Sequence, residues 1–263
     1  MMHLGRSHVL TILVFAVLFA ILYFGCDTQS KEQQSLVKTR ENNLEIINID
    51  RIVSESKEQL EAPAQRILQG MESSLQVADS DSSRIEILES IASFWYQTGF
   101  PLVSAHYAKQ IAESLESDLQ AWSICGTSFA IASKSIENED QIKYAIQNSR
   151  QAYENAISLD SENLDNRINL ALSFVDFPIE ENPMKGILML VDLNKQHPDN
   201  VSILMQLGRL SIQTNQFEKA IQRLSRVLEL DPENKNAHCL LAEVFTKMGE
   251  TEKAEKETIF CNS

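Results

Sequence analysis

The chain has 263 residues, 43% of them hydrophobic and 23% charged, with only 8 Gly and 6 Pro. Glycine and proline stand at about half their usual shares of roughly 7% and 5%, which favours long helices, and the apolar content excludes disorder throughout. A net charge of −14 argues against nucleic acid or an anionic lipid surface as the main partner, and 4 Cys are too few for a disulfide scaffold.

Residues 1–26 differ from everything after them. Val9 to Gly25 is an almost unbroken apolar run, with Arg6 before it and Asp27 after it. At ~1.5 Å per residue a helix of this length spans a bilayer. The positive-inside rule leaves its start in the cytoplasm and the remainder of the chain outside, with the bacterial periplasm the expected place. The run ends in LYFGC, Leu22 to Cys26, which resembles a bacterial lipoprotein processing site in which a small residue precedes a lipid-bearing Cys. Gly25 and Cys26 fit that pattern, while Tyr23 and Phe24 are bulkier than it prefers. A retained transmembrane anchor and a cleaved signal with lipid on Cys26 both remain open, and both tether the chain to a membrane. Without Arg6, 22 of the 23 bases face all 37 acids, so the part beyond carries −15.

Residues 27–54 are polar and are expected to form a linker. In 55–84 apolar residues recur at helical intervals (Leu60, Ala64, Ile67, Leu68, Met71, Leu75 and Val77), predicting one extra helix that restarts near Pro63 and ends at Asp79 to Ser82.

From about Ile85 the chain repeats itself. LELDPENKNAH at 228–238 echoes ISLDSENLDNR at 157–167 and NKQHPDNVSIL at 194–204, each closing one helix and opening another. The 34 residues 201–234 place Leu204, Leu207, Gly208, Ala220, Leu224, Val227 and Pro232 in a large, large, small, small, large, small, Pro order. That order resembles the tetratricopeptide repeat (TPR), with Ser211 where an aromatic is usual. The same template finds Leu88, Ile91, Ala92, Trp95, Gly99, Ala108 and Ile111 in 85–118. It finds Trp122, Cys125, Gly126, Phe129, Tyr153 and Ala156 in 119–163, and Leu170, Ala171, Phe174, Gly186, Leu190 and Pro198 in 164–200. Leu241, Ala242, Phe245, Gly249 and Ala254 follow in 235–263. The resemblance implies an all-α, right-handed solenoid of about five helix pairs over 85–263, because one pair cannot bury its apolar face and stacked pairs can. Its last helix is expected to cap itself, favouring a monomer.

Two repeats exceed the 34-residue template, and the extra residues fall at the turns within the pairs, around 133–141 and 176–183. These turns should lie side by side and form an acidic rim from Glu137, Glu139, Asp140, Asp176, Glu180 and Glu181.

No phosphate loop, HExxH, CxxC or G-x-S-x-G is present. His106, His197 and His238 each stand alone, Cys125 holds a packing place, and Cys239 and Cys261 are expected to stay unbridged unless their Cα atoms come within about 7 Å. No cofactor, metal or catalytic site is expected. What remains is the inner groove. The TPR resemblance assigns to it Tyr96 and Gln97 beside Glu86, Glu89 and Ser93, then Ser123 and Thr127 beside Gln120 and Ala130. An apolar stripe follows, of Ile168, Leu172, Val175, Met205 and Ile212 with Arg209, and then Glu243 near Asn236, Cys239 and Lys247. The Lys, Asn and Arg set with which chaperone-tail binders of this family clamp a carboxylate is missing. The implied function is a non-catalytic, membrane-tethered scaffold that takes a protein or peptide partner in the concave groove and binds no nucleic acid. Assembly of an envelope complex is the leading role. A cytochrome-maturation type of module, or an accessory subunit of a membrane enzyme or transporter, are the alternatives.

Overall fold

The computed structural model describes residues 47–262, so the apolar leader, Cys26 and residues 27–46 of the linker lie outside the described residues. The described chain is all helix apart from its turns and one isolated bridge between Ile179 and Asn182. Two helices come first, α1 (Ile49–Gln59) and α2 (Ala62–Val77). Five pairs follow: α3 (Asp81–Gln97) with α4 (Pro101–Ser114), α5 (Leu119–Ser135) with α6 (Glu139–Leu159), α7 (Leu164–Asp176) with α8 (Lys185–Gln196), α9 (Val201–Gln213) with α10 (Phe217–Leu230), and α11 (Lys235–Met248) with α12 (Thr251–Asn262). Each pair packs on the next, as a solenoid requires.

The first two helices depart from the sequence expectation. Ordered helix begins at Ile49, inside the segment taken as linker, and 55–84 is two helices instead of one. Ile52 and Leu60 are buried, and α1 packs on α4. Lys57 Nζ on α1 meets Glu72 Oε1 on α2 at 2.6 Å, and Gln65 Nε2 donates to the Lys57 and Leu60 carbonyls. The break falls at Leu60–Glu61, where Glu61 is extended as the N-cap of α2, and Pro63, which has no N–H to continue the helix from α1, suits the first turn of α2.

The echoed turns have a local cause. Asn163, Asn200 and Asn234 hold the same place in three repeats, and each side-chain oxygen accepts the backbone N–H three residues on, at 3.0 Å. Asp118 does the same for α5. Each therefore caps the first helix of its pair. In the first, fourth and fifth pairs the turn uses one left-handed residue, supplied by Gly99, Asn215 and Gly249 at matching positions.

Small residues let the paired helices approach. A Cβ on Gly208 would stand 2.9 Å from Leu224, and one on Gly186 would strike the Ala171 carbonyl and come 2.5 Å from the Val175 nitrogen. Leu190, Ile203 and Leu207 pack with Ile168 and Ala171 between the third and fourth pairs, and Leu224, Leu241, Val244 and Phe245 between the last two.

The long second repeat spends its extra residues differently from expectation. α5 and α6 are simply longer helices, and the turn between them is only Ile136 to Asn138. The two acidic turns do meet: Lys134 Nζ lies 2.7 Å from Asp176 Oδ2, so part of the expected rim is neutralised. Among the described residues no helix is long and apolar enough to cross a membrane.

Candidate functional site

A depression of about 430 Å³ opens between α3, α4 and α5. Ala92, Ser104, Ala108, Ala121 and Ser128 form its floor, and Tyr96, Ile111, Leu115 and Ile124 its walls. Tyr96 is 57% exposed and Ile124 51%, although both are large apolar side chains, and Ile131 continues the same face of α5 one heptad on. Glu89 and Asp118 are the charged lining residues; there is no base among them. Beside Leu115 stand Glu113, in the last turn of α4, and Glu116, in the α4–α5 turn.

Repeat positions explain why space is left there. Residues 85–118 and 201–234 align without a gap, and the first helices from 119 and from 235 align likewise: α4 and α10 start at matching places, as do α5 and α11, and Gly99 matches Asn215. Ala108 then stands where the fourth pair has Leu224, and Ser128 where the fifth has Val244. Both larger residues are fully buried. Shortening the two side chains that meet in the valley opens it, and the same valley between the last two pairs is packed shut with Met205 and Leu240 on its flank. Neither α1 nor α2 contributes to the lining.

The groove residues inferred from the repeat template fall into three groups. Tyr96 lines the pocket, and Gln97 stands beside it, donating to Ser93 Oγ at 3.0 Å. Ser123 and Thr127 are on the same helix as Ile124 but are engaged internally: Ser123 Oγ accepts from Asn166 Nδ2 at 2.8 Å, and Thr127 Oγ1 lies 3.2 Å from the Tyr153 hydroxyl. The apolar stripe is a correction. Ile168 and Ile212 are core residues, 4% and 3% exposed, and Leu172, Val175 and Met205 are half-buried against the same clusters, because the following pair turns over them. Arg209 and Glu243 are exposed at the far end, where Glu243 pairs with Lys247 at 2.9 Å. The template missed Ile124 and Ile131, whose spacing of seven on an otherwise polar face of α5 was a visible sign.

Two further expectations fail at the last pair. Cys239 and Cys261 form a disulfide between α11 and α12, with Cα atoms 4.8 Å apart, so Cys239 is not a free thiol. His238 does not stand alone: its ring nitrogens lie 2.6 Å from Glu257 Oε2 and 3.1 Å from the Pro232 carbonyl, and its ring stacks on Phe260. Elsewhere Cys125 is buried, and burial pushes its thiol up to about 12, which leaves it unreactive as a nucleophile. Among the described residues no three His, Cys, Asp or Glu side chains gather as a metal-binding group.

A family model described as TPR repeat matches residues 208–249, from α9 through the turn after α11. That stretch carries a TPR repeat. Comparison with curated proteins gives no match. Solved structures similar to this chain include MamA from Desulfovibrio magneticus RS-1, residues 41 to the end, at 15% identity with a TM-score of 0.46 over 69% of this chain and 94% of that one. A MamA RS-1 double mutant gives 15% identity and a TM-score of 0.47 over 70% and 94%. YrrB, described as a TPR protein with an unusual peptide-binding site, gives 15% and 0.41 over 66% and 83%.

Proposed function

We propose that this TPR protein is a non-catalytic scaffold, tethered to a membrane by its N-terminal segment, that holds a protein partner in the cell envelope and helps assemble a complex there. The observation that carries the binding role is the pocket between α3, α4 and α5: Tyr96, Ile124 and Leu115 stay exposed around it although burial of each would be favourable by about 1.5–3 kcal/mol. Exposed apolar surface gathered in a depression on a rigid helical frame is the form a partner site takes. The place outside the cytoplasm is supported by the apolar run at 9–25 with Arg6 before it, and by the Cys239–Cys261 disulfide, a bond typical of oxidising compartments.

Protease added to intact spheroplasts tests the topology. The solenoid should be degraded without lysis, and its survival until lysis would contradict the proposal. Intact mass of the mature N-terminus decides the tether, since a chain starting at Cys26 with added acyl mass means lipid and an uncut chain means a helix. Gentle detergent extraction should recover a fixed set of envelope partners from the native chain and lose it from Ile124→Arg.

A further inference from the structure

We propose that the pocket between α3, α4 and α5 selects polypeptide segments in which a bulky aliphatic or aromatic side chain is flanked by Lys or Arg. The proposal rests on that pocket being the partner site and adds the chemistry of the partner.

The size and the charge of the site set the two halves of this specificity. A volume of about 430 Å³ lies within the roughly 300–1,000 Å³ range of ligand pockets, and its floor of Ala and Ser side chains supplies no bulk of its own. An inserted Leu, Ile or Phe side chain would restore what Leu224 and Val244 provide in the closed valley of the last two pairs. The partner thus completes, in trans, a core that two small residues leave incomplete.

Around this apolar floor the charge has one sign. Glu89 on α3 and Asp118 at the start of α5 both line it, and Glu113 at the end of α4 and Glu116 in the α4–α5 turn lie next to it. Lys109 is committed inward, with Nζ 2.9 Å from Asn148 Oδ1 and 3.8 Å from Glu113. A segment with acidic flanks would be repelled there, as would an anionic lipid headgroup, whereas Lys or Arg on either side of the apolar anchor meets carboxylates. Asp118 is held in place as the cap of α5, which fixes one of these charges relative to the pocket.

The test uses the full chain in detergent micelles and a random peptide library, with counter-selection on the double variant Ala108→Leu, Ser128→Val. That variant copies the residues of the closed valley, adds no charge and should keep or raise the unfolding temperature. Pocket-dependent peptides should share one bulky apolar residue with Lys or Arg within a few positions. A selected peptide should bind at least tenfold more weakly to the filled variant and to Ile124→Arg, which alters only an exposed wall. Glu89→Lys and Glu116→Lys should weaken it several-fold, raised salt should do the same, and Glu243→Lys should leave it unchanged. Peptides that need the pocket but carry neutral or acidic flanks, or that bind Glu89→Lys undiminished, would overturn the charge selection while leaving the pocket as a partner site. No pocket-dependent peptide at all, or a cross-linker at Ile124→Cys that joins the pocket to residues 27–46 of the same chain, would overturn both. Because the binding is measured with purified protein, an incorrect assignment to the envelope would not alter the result.

Discussion

Tyr96 and Ile212 occupy the same place in their repeats, twelfth from the start, and meet opposite fates: one is 57% exposed and the other 3%. Ile212 is covered by Leu241, Val244 and Phe245 of the following pair, with Leu224 beneath. Tyr96 faces Ala121, Ile124 and Ser128 of its following pair, with Ala108 beneath. The second helices of the two pairs are equally long and the left-handed turn residues Gly99 and Asn215 match, so the difference is traced to two side-chain volumes. In a solenoid a position is neither groove nor core by its number; the next repeat decides, and a pair of small residues is enough to turn a core valley into a pocket.

The closed end should be where the fold is most costly to disturb. Replacing Cys261 with Ser removes a covalent link across 22 residues of sequence, for which the chain-entropy estimate is about 3 kcal/mol. Denaturant unfolding should show that loss, and hydrogen exchange in reductant should show α12 opening first while α3–α5 keep their protection. Equal loosening of both ends would break the distinction between them.

Next comes the middle of the stack. Gly186→Ala drives a methyl into the backbone of α7, where nothing flexible can yield, and should lower stability by roughly 1–3 kcal/mol. Gly70→Ala on α2 meets nothing within 4 Å and should instead add roughly 0.5–1 kcal/mol. Thermal melts of the two variants should move in opposite directions.

Asn200→Ala removes the cap of α9 and should cost about 1 kcal/mol. The effect should appear as earlier exchange of the amides in the first turn of α9, with no change at the pocket.

The smallest effect expected is that of pH at the open end. Burial lowers the pKa of His106 on α4 below its ordinary 6.5, with Asp50 opposing that shift and Lys109 adding to it. Above pH 6.5 the ring is neutral in both folded and unfolded chains and contributes nothing. As pH falls through 6.5 the unfolded chain takes up the proton first, so stability falls. Chemical denaturation between pH 7 and 5 should be less pH-dependent in His106→Gln than in the native chain.

The five pairs were legible because their causes are local. Asn163, Asn200 and Asn234 mark helix starts, Gly99 and Gly249 mark turns, and Gly126 and Gly208 mark close contacts, each through a requirement met within a few residues. What the repeat template misplaced depends on neighbours distant in sequence. Ile168 and Ile212 are apolar at groove positions, and only the packing of the following pair shows that they are inside. The Cys239–Cys261 bridge depends on how α12 folds back, which spacing alone does not give. The start of α1 was hidden because Ile52 stands among polar residues, and α1 is held by contact with the first pair. The pocket was half legible: Tyr96 was marked by its position, but Ala108 and Ser128 become informative only when set beside Leu224 and Val244.

The central claim is that partner binding is confined to the open end. It is tested most directly by measuring, in one titration series, the affinity of a pocket-selected peptide for the native chain, for Ala108→Leu, Ser128→Val, and for Arg209→Glu. Binding should fall at least tenfold in the filled variant and stay unchanged in Arg209→Glu. Full affinity in the filled variant, or loss in Arg209→Glu, would contradict the claim.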